Sequence, residues 1–172
     1  MAGHALATPI TFELSTYGRL QSGPLTVAPL TVSLRYTFDP NLPDAEPSPV
    51  GGSFGSPWPA LLQIGSESAS NLEGVGLFTN FDATPQTYTV GAIFNRNLAY
   101  FMGREIFVAV FNFIDFDRSM LTSDALPTDA GFALDAERHY STLTFFPIAG
   151  DPAFGGPGYT QFNICDPIIT DA

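Results

Sequence analysis

Apolar and polar residues alternate with a period of two along most of this chain. Leu30, Val32, Leu34, Tyr36 and Phe38 alternate with Thr31, Ser33, Arg35 and Thr37, the pattern of a strand with one buried and one wet face. Ile10, Phe12 and Leu14 alternate likewise with Thr11, Glu13 and Ser15. Val75, Leu77, Thr79 and Phe81 make a third such face, and Tyr88, Val90, Ala92 and Phe94 a fourth. Residues 105–114 differ: Ile106, Val108 and Val110 share one side, while Phe107, Ala109, Phe111 and Phe113 share the other. A strand apolar on both sides is predicted to be central and covered on both faces. Residues 139–146 and 159–164 read as further strands.

Turn residues punctuate these runs. Many of the 16 glycines and 15 prolines fall between them, notably in residues 40–59 and 150–158. Proline spread this evenly excludes long helices, and no segment carries a helical apolar stripe. Roughly eight or nine short strands predict one antiparallel β-sandwich, jelly-roll-like. The expected layout is a flexible N-terminus over residues 1–8, the sandwich over 9–165 and a tail over 166–172. Residues 40–59 are expected to form one long loop.

Composition narrows the function classes. The chain has 17 acidic and 6 basic residues, a net charge of -11. Every basic residue is an arginine, so Schiff-base chemistry and a phosphate-loop lysine are excluded. Nucleic acid is not expected as a partner, because it needs many cationic phosphate contacts. No stretch is apolar for long enough to span a membrane as a helix. Cys165 is the single cysteine, which excludes a disulfide within the chain; a buried or edge thiol is expected, since no basic neighbour lowers its pKa. Ala5-Leu6-Ala7 has the form of a signal-peptidase site, without the charged and apolar regions that precede one.

Two blocks add a resemblance. The first runs Tyr36-Thr37-Phe38-Asp39, Pro43-Asp44-Ala45-Glu46-Pro47-Ser48-Pro49 and Gly52-Ser53-Phe54; the second runs Ile114-Asp115, Ser123-Asp124-Ala125-Leu126-Pro127-Thr128 and Leu143-Thr144-Phe145-Phe146. Their order and spacing over residues 25–146 resemble exported bacterial proteins of the PEP-CTERM-sorted type. The resemblance implies export, the cell surface, and association with exopolysaccharide or biofilm matrix; it carries no functional residue with it. The sequence departs from that group at its end, Asp166 to Ala172, which has no Pro-Glu-Pro motif, apolar helix or basic cluster.

Several residues are candidates for chemistry. Asp39, Asn41, Asp44 and Glu46 lie close together in one Pro-stiffened loop and could surround calcium, which takes six to eight oxygen ligands; the alternative is a solvated loop built on Asx turns. Asp115 and Asp117, with Asp124 a short turn later, form a second acidic cluster whose alternative is turn capping with an Arg118 ion pair. Asp135, Glu137 and His139 would share one face of a strand, open to acid–base or metal chemistry or else simply solvated. Trp58, between Pro57 and Pro59, suits either a sugar platform or a plug over the sandwich end. Ser119, Ser123 and Ser141 lack a nucleophile elbow.

The function expected from these features is that of a non-enzymatic exported surface or matrix protein, working through self-association or extracellular polysaccharide. A glycan-binding module is the alternative and an extracellular hydrolase a remote one. Exposed aromatics in a flat strip would favour glycan; apolar edge strands would favour assembly.

Overall fold

A computed structural model describes residues 8–22, 25–45, 48, 50–71, 74–95, 99–129, 131–146 and 160–165. They form an all-β sandwich of two antiparallel sheets packed together. β1 (Ile10–Ser22) belongs to both sheets. Its first part, up to Gly18, pairs with β3 (Leu30–Phe38). Its last residues pair with β12 (Thr160–Cys165) and with the two-residue β2 (Leu25–Thr26). The smaller sheet continues from β3 through β5 (Leu61–Ile64) to β6 (Glu67–Ser70). The larger sheet runs from β12 through β11 (Arg138–Phe145), β10 (Arg104–Asp115), β8 (Gln86–Ile93) and β7 (Val75–Asn80) to β4 (Gly51–Ser56). A short ribbon, β9 (Tyr100–Phe101), pairs with the start of β10.

The alternating residues supply the core. Val32, Leu34, Tyr36 and Phe38 of β3 are buried, as are Tyr88, Val90, Ala92 and the following Phe94 on the β8 side. Side chains from the two sheets meet between the layers, where burial drives the packing. Gly131–Asp135 forms one turn of helix, α1, which takes Asp135 off the strand face expected for it with Glu137 and His139. Asp129 Oδ1 accepts the Gly131 N–H at 2.8 Å and starts the turn. The turn sets Phe132 among Phe12, Tyr88 and Phe113, with ring centroids 5.9, 4.9 and 5.2 Å away. Helical dihedrals over five residues are thus fixed by one aromatic anchor rather than by an apolar stripe.

Two expectations need correction. Residues 40–59 are not one loop, because Gly51–Ser56 is β4, paired along its length with β7; its three glycines and serines hid the strand pattern. β10 is central, hydrogen-bonded to β8 and β11, but its faces are not as the plain alternation predicts. A bulge lies between Ile106 and Val108, so Ile106, Ala109, Phe111 and Phe113 are buried while Phe107, Val108 and Val110 are only half-buried. One extra residue in one strand shifts which side chains face inward.

Candidate functional site

The acidic loop after β3 is organised around its own backbone. Asp39 Oδ1 accepts the Asn41 N–H at 2.8 Å, an Asx turn. Asp44 Oδ1 accepts the Ser53 N–H at 2.9 Å, and the Ala45 N–H donates to the Ser53 carbonyl at 2.7 Å. Ser53 lies on β4, at the rim of the larger sheet. Asp44 and Ala45 therefore occupy ladder positions that an edge strand would otherwise present to another chain. Asn41 is exposed. Glu46, the fourth candidate ligand for calcium, lies outside the described residues.

The second acidic cluster gathers different partners from those expected. Asp115, Asp117 and Glu137 bring carboxylate oxygens within 4.8 Å of one another, and Asp124 is not among them. Asp115 is fully buried and accepts N–H bonds from Met120 at 2.6 Å and Asp117 at 3.1 Å. Burial pushes its carboxyl up, yet the backbone donors of Met120, Asp117 and Ser119 outweigh that and hold it below the ordinary value. Glu137 accepts the Phe116 N–H at 3.1 Å, and Asp117 the Ser119 N–H at 3.0 Å. These carboxylates cap the turn that follows β10. Arg118 pairs not with them but with Asp82, at 2.7 Å.

Asp135, Glu137 and His139 do not share a strand face. Asp135 ends α1, Glu137 sits in the bend after it and His139 lies in β11. His139 is half-buried, its ring 6.3 Å from that of Phe113. Ser141 is buried against Thr16 at 2.9 Å, while Ser123 accepts the Ala125 N–H within its own turn. Ser119 and Ser123 line a recess of about 420 Å³ with Thr122, Thr128, Asp129 and Asp135. Trp58 is half-buried in the crossover from β4 to β5, and Pro57 and Pro59 beside it are exposed. Cys165 closes β12.

The surface that sequence reasoning missed is the outer face of the larger sheet. Strand register aligns Ser53, Phe78, Thr89, Asn112 and Tyr140 in one row across β4, β7, β8, β10 and β11. Their sequence neighbours Phe54, Leu77, Tyr88, Val90, Phe111 and Phe113 are buried, so the row points outward. Phe78 is 47% exposed and Tyr140 40% exposed. The adjacent row is Gly55, Gly76, Gly91, Val110 and Thr142. Three glycines side by side leave a trough of about 370 Å³, walled by Pro57 and by Ile93, itself 48% exposed.

The glycines differ in what they are needed for. A Cβ at Gly76 would meet the Phe78 ring at 3.0 Å, so that ring lies over the glycine. A Cβ at Gly55 or Gly91 would meet nothing within 4 Å. No packing constraint within the described residues calls for glycine at either position. The sequence signal was present: Gly76 and Gly91 interrupt otherwise regular strands, a mark of close approach by a ligand or another backbone. Charge adds a further feature. Neither of these two rows carries a charged side chain; Arg138 stands beside them at Ile114's row and Glu105 at the start of β10, in a chain of net charge -11.

The protein is thus an all-β sandwich with an open sheet face whose middle rows carry no charge. No family model, curated protein or solved structure matches the chain.

Proposed function

We propose that this is a non-catalytic association domain of an exported surface or matrix protein, with the outer face of the larger sheet as its working surface. The observation that carries the reading is that face: uncharged across its middle rows, with Phe78, Ile93 and Tyr140 exposed, in a strongly acidic chain. Uncharged, apolar surface on a chain otherwise dressed in acid is where contact with another body costs least desolvation. The sheet edges support the same choice. β4 is capped by Asp44 and Ala45, and β6 is a four-residue strand of Glu67, Ser68, Ala69 and Ser70. Short, polar or covered edges resist strand addition, so association through the face is favoured over association through the edges. The resemblance in the two loop blocks supports an extracellular setting.

The test places a charge on the face. Phe78→Asp should leave the melting temperature within a few degrees of wild type while abolishing retention of the purified chain on bacterial extracellular matrix. Equal retention of both proteins overturns the reading. So does turnover of polysaccharide, ester or peptide substrates that is lost on changing a loop carboxylate.

A further inference from the structure

We propose that the row from Phe78 to Tyr140, with the glycine trough beside it, binds a neutral polysaccharide chain laid across the strands; this rests on the outer face being the working surface. Phe78 on β7 and Tyr140 on β11 are separated by three strand spacings, about 14 Å. That is the span of a short oligosaccharide, and both rings are exposed. Aromatic faces pack against the C–H faces of sugar rings while leaving sugar hydroxyls free to hydrogen-bond. The positions between them supply hydroxyl and amide groups: Thr89 Oγ1 donates to Asn112 Oδ1 at 2.8 Å, and Ser53 stands at the β4 end of the row. The trough adds the close approach that a bulky ring needs. Gly55 and Gly91 have no neighbour that a Cβ would touch, so their absent side chains expose backbone to an occupant and not to the fold.

Charge decides among occupants. A second copy would set a charge of -11 against -11, and an acidic polysaccharide would meet the same repulsion with no lysine to offset it. A neutral glycan meets neither obstacle, and the two rows it would cover carry no charged group that would have to be desolvated.

The experiment is electrophoretic retardation of the full chain in gels containing hydroxyethylcellulose, dextran, galactomannan or alginate. At least one of the three neutral polymers should retard the wild type, and alginate should not. Phe78→Ala and Gly91→Val should each weaken that retardation at least tenfold, with Tyr17→Ala, an exposed tyrosine on the other sheet, unchanged. Circular dichroism and melting curves confirm that the variants fold. Absence of retardation by every neutral polymer, or retardation by alginate that survives both face variants, overturns the inference. Concentration-dependent dimerisation lost in Gly91→Val also overturns it, in favour of a second copy on the same face. If matrix retention depends on Phe78 while no neutral polymer binds, the glycan inference fails and the association reading stands; if retention ignores Phe78, both fail.

Discussion

The hydroxyls of Tyr36 and Tyr88 meet at 3.0 Å inside the sandwich, one from β3 of the smaller sheet and one from β8 of the larger. Both side chains are buried, and burial pushes both phenols above their ordinary value. The pair joins the two layers by a polar contact among buried aromatic rings, and each hydroxyl satisfies the other.

Removing one hydroxyl should therefore hurt more than removing both. Tyr36→Phe or Tyr88→Phe leaves a buried hydroxyl without this partner and should cost about 1–2 kcal/mol in urea denaturation. The double variant should recover most of that loss, because two apolar rings of the same shape replace a satisfied pair. Strictly additive losses would show that the contact contributes nothing. The raised folded-state pKa values also set a pH dependence. Their contribution is complete below the unfolded tyrosine value of about 10 and is lost as pH rises above it. The double variant should accordingly lose less stability than wild type between pH 9 and about 11.

Asp115 sets the opposite dependence. Its folded carboxyl titrates below the ordinary value of 3.8, so the unfolded chain takes up the proton first. Its contribution is complete above the unfolded pKa and is lost as pH falls through the folded one. Asp115→Asn replaces an acceptor of several N–H groups with an amide and should cost about 2–3 kcal/mol at neutral pH. The gap between variant and wild type should narrow below pH ~3 in acid titrations followed by circular dichroism. A gap that stays constant down to acid would remove the carboxylate's role.

Three glycines should answer differently to alanine. Gly74 has φ +85°, and a Cβ there would collide with the Ser56 carbonyl. Gly74→Ala should lose about 2 kcal/mol or more. Gly55→Ala and Gly91→Ala fill open space in strands and should raise stability by about 0.5–1 kcal/mol each. Thermal melts of the three variants check this, and a destabilised Gly91→Ala would show that the trough serves the fold.

The bulge in β10 predicts an asymmetry between two phenylalanines four residues apart. Phe111, buried and opposite Val90 and Ser141, should cost about 3–5 kcal/mol when cut to alanine. Phe107 is half-buried, with its ring 5.0 Å from Phe146, and should cost about half as much. Equal losses in chemical denaturation would place both rings in the core.

Those two residues also mark how much of the molecule was legible beforehand. The faces of β3, β7 and β8 could be read residue by residue, because uninterrupted alternation admits one inward set. β10 could be recognised as central but not oriented throughout, since a bulge leaves no mark in an all-apolar run. β4 escaped notice because Gly51, Gly52 and Gly55 carry no side chain to declare a face. α1 escaped because a single turn anchored by Phe132 has no periodicity. Asp115 and Asp117 could be paired from spacing, whereas Glu137 joined them only through the chain's return after α1. The aromatic row was invisible for a simpler reason: Phe78 and Tyr140 are 62 positions apart in sequence and share a row only through the register of four strands.

Asp44 offers a test that separates two roles for the same acidic loop. As a cap on β4, its carboxylate needs only an acceptor oxygen for the Ser53 N–H. Asp44→Asn keeps that acceptor and should melt close to wild type, whereas Asp44→Ala frees the edge amide and should lose about 1 kcal/mol. The alanine variant should also self-associate with increasing concentration in light scattering, as an uncovered edge strand pairs with another. Calcium held by Asp39, Asn41, Asp44 and Glu46 would give a different signature. Wild type would then melt higher in millimolar calcium than in chelator, since a ligand that binds the native state stabilises it, and Asp44→Asn would lose that increment along with its charge. A melting curve indifferent to calcium, together with association of Asp44→Ala alone, assigns the loop to edge protection. Monomeric Asp44→Ala with wild-type stability would remove the cap.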